Sequence, residues 1–207
     1  MNPTSPIVAG ATLGAFASLV RAADNPGVQA LLAKIKNPDD HVRGPAWQGA
    51  GTFGAPAVVP LGEAMTDPDF EIARAARRAI EVIVRHAGRP GAESERRAVA
   101  AELVKLLDHQ ALPVRRHALW MLSEIGDDEA VPAIARLLGD AGTREDARCA
   151  LERIPGPRAT EALKAAFAVS PEDFKYALAH TLRLRGEQVA GYPSRKLVPT
   201  KKTTLTE

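Results

Sequence analysis

VRRHALWMLSEIGDDEAVPAIARLL, residues 114–138, decides the fold. Val114, Ala118, Leu122 and Ile125 recur every three or four residues, which marks one face of a helix. Gly126, Asp127 and Asp128 interrupt the pattern, and Ala130, Ile134, Leu137 and Leu138 begin a second apolar face. Two short amphipathic helices joined by a tight turn form a hairpin. Neither helix buries its stripe alone, so the unit needs neighbours.

Those neighbours stand elsewhere in the chain. A shift of 29 residues superposes Ala118 on Ala147, Leu122 on Leu151, Ile125 on Ile154, Ala130 on Ala159 and Ile134 on Leu163. A shift back of 42 reaches Ala76, Ile80 and Ile83, and a further 30 reaches Ala46, Ala50 and Phe53. Self-similarity at a near-fixed period is the mark of stacked repeats. The residue pattern, V-R-x-x-A-x-x-x-L-x-x-I-G followed by A-V-P-x-I, resembles HEAT repeats. It is most similar to the short HEAT-like repeats of the phycobilisome-lyase type, over residues 24–186. The resemblance implies an all-α fold, an α-solenoid or superhelix of about five antiparallel helix pairs. It does not identify an activity, because function belongs to sites rather than folds.

Composition agrees with helices. Hydrophobic residues make up 45% of the chain but aromatics only 4%, so much of the apolar content is alanine. Alanine favours helix and lets helices approach closely. No run alternates with period two, so no sheet is expected. A single cysteine, Cys149, excludes disulfides and cysteine-based zinc sites within one chain. Residues 24–186 hold 22 Lys and Arg against 23 Asp and Glu. A near-neutral solenoid lacks the bulk charge of a dedicated nucleic-acid binder.

The N-terminus has two readings. Residues 7–20 (IVAGATLGAFASLV) are uncharged and too short for a comfortable membrane span, but suit a signal-peptide core with cleavage near Val20-Arg21-Ala22. The alternative for residues 1–23 is a helix that caps the solenoid. The run shows no polar face, which favours export and an extracytoplasmic location, with no membrane span in the mature chain.

Turn signals divide residues 24–186 into five pairs. Asn25 with Pro26 forms an N-cap and first-turn pair. The second helix of repeat one, from Val42, is weakened by Gly44, Pro45 and Gly49, and Pro45 is tolerable only in its first turn. Asp67-Pro68-Asp69 opens a long helix over residues 70–87. Thr143 caps the second helix of repeat four, and Ser170 with Pro171 starts the last helix as N-cap and first residue. The apolar period ends at Gly186, and residues 187–207 read as a flexible basic tail with 4 Lys and Arg against 2 acids.

The candidate binding residues follow from the second helices. Arg43, Arg115 and Arg144 occupy equivalent positions at helix starts, with Ala73 and then Arg74 in repeat two. Such a row grips an acidic partner, or else pairs with turn acids of its own or the next repeat. Two residues beyond the small core alanine stand Gln48, Arg78, Trp120 and Cys149. With Ala118 inward, Trp120 points nearly opposite. It is either an exposed contact flanked by Arg78 and Arg116, or a ring packed on the long helix of repeat two. Cys149 reads as a small filler beside Arg144 and Arg148, which lower a thiol's pKa. His41, His86, His109, His117 and His180 have no ligand spacing, so no metal and no cofactor are expected.

No phosphate loop, His-Glu-x-x-His motif or nucleophile elbow occurs in the sequence. The reading is a non-catalytic protein–protein interaction scaffold. It binds an unknown protein with an acidic surface through Arg74, Arg78, Arg115, Arg116, Trp120 and Arg144, because resemblance to HEAT repeats implies that second helices line the concave face. Two rivals are a bilin lyase-like enzyme, implied by the same resemblance, and a nucleic-acid-binding protein using the arginine row.

Overall fold

The computed structural model describes residues 13–20 and 24–194. The described residues form α-helices and two 3-10 turns, with no strand. The helices pair as expected. The first pair is α1 (Pro26–Ile35) with α2 (Asp40–Gln48), and the second is α3 (Ala55–Ala64) with α4 (Phe70–Ala87). The third is α5 (Glu93–Leu106) with α6 (Leu112–Ile125). The fourth is α7 (Val131–Arg136) with α8 (Arg144–Arg153), and the fifth is α9 (Pro157–Val169) with α10 (Glu172–Leu184).

Each pair packs on the next. The first helices form one layer, with α1 on α3, α3 on α5 and α7 on α9. The second helices form the other, α2 on α4, α4 on α6, α6 on α8 and α8 on α10. The fold is therefore an α-solenoid. Its core lies between the layers, on the superposed positions of the sequence repeat. Ala76, Ala118 and Ala147 are buried, as are Ile80, Leu122 and Leu151, and Ile83, Ile125 and Ile154. Burial of each Ile or Leu is worth roughly 1.5–3 kcal/mol, and the alanines bring the helices close enough to collect it.

Local chemistry fixes the helix ends. Asn25 Oδ1 accepts from the Gly27 and Val28 N–H groups, and Asp69 Oδ1 from Glu71 and Ile72, each satisfying N-terminal donors that have no partner within the helix. Gly126 ends α6 for a steric reason. A Cβ there would lie 2.5 Å from the Leu122 carbonyl oxygen and 3.0 Å from Ile154 Cδ1.

Four local expectations change. Pro45 sits inside α2, not in its first turn. The helix tolerates the missing N–H by ending at Gln48 and tightening into a 3-10 turn over Ala50–Phe53. Thr143 does not cap α8 with its side chain. Its buried hydroxyl instead donates to Asp140 Oδ2 at 2.8 Å. The Gly142 N–H, then that hydroxyl, hold the Asp140 carboxyl below its ordinary range. The last helix begins one residue later than expected. Ser170 terminates α9, and Pro171 takes the cap position without a side-chain bond. Finally, residues 187–194 lie against the last repeat. Arg183 donates to the Val189 and Tyr192 carbonyls at 2.9 Å, and the Tyr192 ring meets Phe167 and Tyr176 edge-on. The rest of the expected tail, 195–207, lies outside the described residues.

At the other end, residues 13–20 are helical and docked on α5. The Ser18 hydroxyl donates to Glu102 at 2.7 Å, Lys105 donates to Ser18 at 2.8 Å, and Leu19 packs on the core. Leu13, Phe16 and Val20 face outward. The remainder of the segment read as a leader or cap, residues 1–12 and 21–23, lies outside the described residues. No helix among the described residues is long and apolar enough to cross a membrane.

Candidate functional site: the cleft between α4 and α6

The turn arginines are engaged within the fold. Arg43 donates to the Asn37 carbonyl at 2.7 Å and the Pro38 carbonyl at 3.3 Å, and pairs with Asp40. Arg115 repeats this geometry two pairs along the solenoid, donating to the His109 and Gln110 carbonyls at 2.8 Å each, with Asp140 at 3.9 Å. Each guanidinium thus staples its own inter-helix turn. Arg144 instead reaches forward to Asp173 of the next repeat at 2.7 Å and stacks over Phe174. The pairing alternative is what these three side chains adopt. Arg78 lies over Trp47 at 5.0 Å, away from Trp120.

Trp120 is partly exposed and partly packed. It is 45% exposed, yet its ring meets the long helix α4 through Arg77, whose guanidinium lies 5.5 Å from the ring centre. Such stacking is worth roughly 0.5–1 kcal/mol at an exposed site. Trp120 stands between two clefts that both run between α4 and α6. One, about 470 Å³, is lined by Glu81, Val84, Arg85, Met121 and Glu124. The other, about 820 Å³, joins Phe70, Arg74 and Arg77 of α4 to Arg116, His117 and Trp120 of α6. Met65, Leu112 and Pro113 extend its apolar wall, and Asp146 is a carboxylate within it.

Of the sequence candidates, this larger cleft brings together Arg74, Arg116 and Trp120. It leaves out Arg78, Arg115 and Arg144. It adds three residues that the sequence reading missed. Phe70 is the first residue of α4 and 71% exposed. Arg77 is one turn from Arg74. His117 is only 6% exposed, and neither ring nitrogen has a hydrogen-bond partner. Its spacing from Val114 and Met121, three and four residues, was the available signal for burial. The His117 ring meets Trp120 edge-on at 5.9 Å.

Burial pushes the His117 imidazole down to about 4 from its ordinary 6.5, and the Arg77 charge adds to the fall. The Arg77 backbone opposes this only weakly, since no hydrogen bond of ordinary geometry joins it to the ring. At neutral pH the ring is uncharged and offers one donor and one acceptor. Cys149 behaves unlike the sequence expectation. The residue is exposed, yet partial desolvation of the thiol raises its pKa, and the charges of Glu152, Glu145 and Asp146 add to the rise against Arg148. Arg148 itself is tied to Glu145, Glu152 and Thr181.

Stacked antiparallel helix pairs with a side cleft define this chain as an α-solenoid repeat protein. The sequence profile for HEAT repeats matches residues 61–152 and again 100–183, and the chain belongs to that family. No curated protein matches the chain. Among solved structures it is similar to an engineered protein crystallised by the Northeast Structural Genomics Consortium. That likeness is 23% identity over 76% of this chain and 78% of the other, with a TM-score of 0.41.

Proposed function

We propose that the chain is a non-catalytic scaffold that docks another protein on its second-helix layer, with the α4–α6 cleft as the contact. One observation carries this reading. Two large aromatics, Phe70 and Trp120, remain exposed on the lining of one cleft, a pattern that marks contact surfaces. Arg74 and Arg116 flank them. Their partners Glu71 and Asp146 form exposed surface pairs, which cost little to exchange for a partner's carboxylates. Arg115 and Arg144 take the supporting role of holding the turns and the next repeat.

The test is site-specific photo-crosslinking in the native cells. A benzophenone side chain at position 70 or 120 is expected to give a discrete protein adduct, and the same group at exposed Ala98 on α5 none. Adducts from all three positions alike, or none from 70 and 120, sink the reading.

A further inference from the structure

We infer that the helix over residues 13–20 is a lipid-surface contact, whose outer stripe enters the apolar boundary of a bilayer without crossing it. The helix reverses the pattern expected in water. Of its residues, LGAFASLV, none is charged and Ser18 alone has a polar side chain. Ser18 is 5% exposed and turned inward, where its hydroxyl donates to Glu102 at 2.7 Å and accepts from Lys105 at 2.8 Å. Leu13, Phe16 and Val20 face outward instead, 67%, 65% and 47% exposed. At about 100° per residue the three fall within an arc of about 60°, a single apolar stripe.

The chemistry of this stripe selects its partner. Protein interfaces carry a polar rim and about one hydrogen bond per 100–200 Å². The stripe offers no side-chain donor, acceptor or charge, which suits hydrocarbon, where an unpaired polar group is costly. A second copy of the chain is a poor cover. Three side chains on a helix this short fall far below the roughly 800 Å² that each partner buries in a stable complex. Residues 7–12, IVAGAT, extend the uncharged sequence over 7–20, shorter than the roughly 20 residues that span a bilayer but ample for a segment lying along one.

Interfacial helices commonly carry a cationic polar face. Here the polar side is supplied by docking on α5, and the Lys105 amine is committed to Glu102 at 2.6 Å and to Ser18. The contact is therefore apolar rather than electrostatic. It lies on the first-helix layer, whereas the α4–α6 cleft belongs to the second, so it stands apart from the docking reading.

The test is flotation of the full chain, its residues 1–23 verified by intact mass, with vesicles of phosphatidylcholine alone. Binding is expected, and it should change neither in high salt nor on adding phosphatidylglycerol. Phe16→Ser is expected to weaken partition about tenfold or more, while Phe16→Leu keeps most of it. Both alter an exposed side chain, so circular dichroism and melting should match the wild type. Val169→Ser on α9, where the residue is 85% exposed, is expected to change nothing. Absence of flotation overturns the inference, as does an equal loss from Val169→Ser. Flotation that needs phosphatidylglycerol and disappears in high salt also overturns it, placing the contact on basic side chains. So does flotation that survives Leu13→Ser and Phe16→Ser together; if that variant instead loses self-association in sedimentation, a second copy covers the stripe.

Discussion

His117→Leu replaces a buried, unpartnered imidazole by an apolar side chain of similar size, and the protein is expected to gain stability, most of all in acid. Two terms set the size. At neutral pH the wild-type ring leaves polar nitrogens without partners, at a cost of about 1 kcal/mol or somewhat more. Protonation adds the second. The folded ring titrates at about 4 and the unfolded one near 6.5, so between these values the unfolded chain binds the extra proton. Stability is therefore intact above 6.5, falls as pH drops, and levels off below 4. The full loss is about 3 kcal/mol, of which about 2 has already appeared at pH 5. Leucine removes that term, so the variant's advantage should widen from about 1 kcal/mol at pH 7 to about 3 at pH 5. Urea unfolding of both proteins at the two pH values measures it. If they lose stability in parallel between pH 7 and 5, the argument that His117 is buried and uncharged is refuted.

Gly126→Ala should destabilise by roughly 1–3 kcal/mol, because its Cβ would collide with a backbone oxygen that has no room to retreat; an unchanged urea midpoint would contradict this. Arg185→Met removes the donor that serves the Leu151, Glu152, Ile154 and Gly156 carbonyls at the end of α8. A loss of about 2 kcal/mol is expected, read by thermal melting with Arg153→Met as a surface control. Iodoacetamide at pH 8 should alkylate exposed Cys149 more slowly than it does glutathione, since partial desolvation and three nearby carboxylates raise its thiol pKa. Faster labelling would show that Arg148 dominates instead.

The sequence by itself determined the solenoid. Helix stripes such as Ala118, Leu122 and Ile125 are local, periodic and repeated, so the buried face of each helix is written within a dozen residues. Turn acids and prolines placed most helix ends for the same reason, with the long α4 at the residues expected. Where two local partners competed for one hydroxyl, as when Thr143 turned back to Asp140 three residues earlier, the reading of the cap failed. The site belongs to tertiary structure. Arg77, not Arg78, reaches Trp120, because the relative rotation of α4 and α6 selects between adjacent residues. The burial of His117 was signalled by its spacing from Val114 and Met121, but that its ring nitrogens are left without partners depends on what α4 places over them. Neither helix carries that information alone. The cleft arises from how two repeats of unequal length lean on each other, a property of the pair that no single repeat encodes.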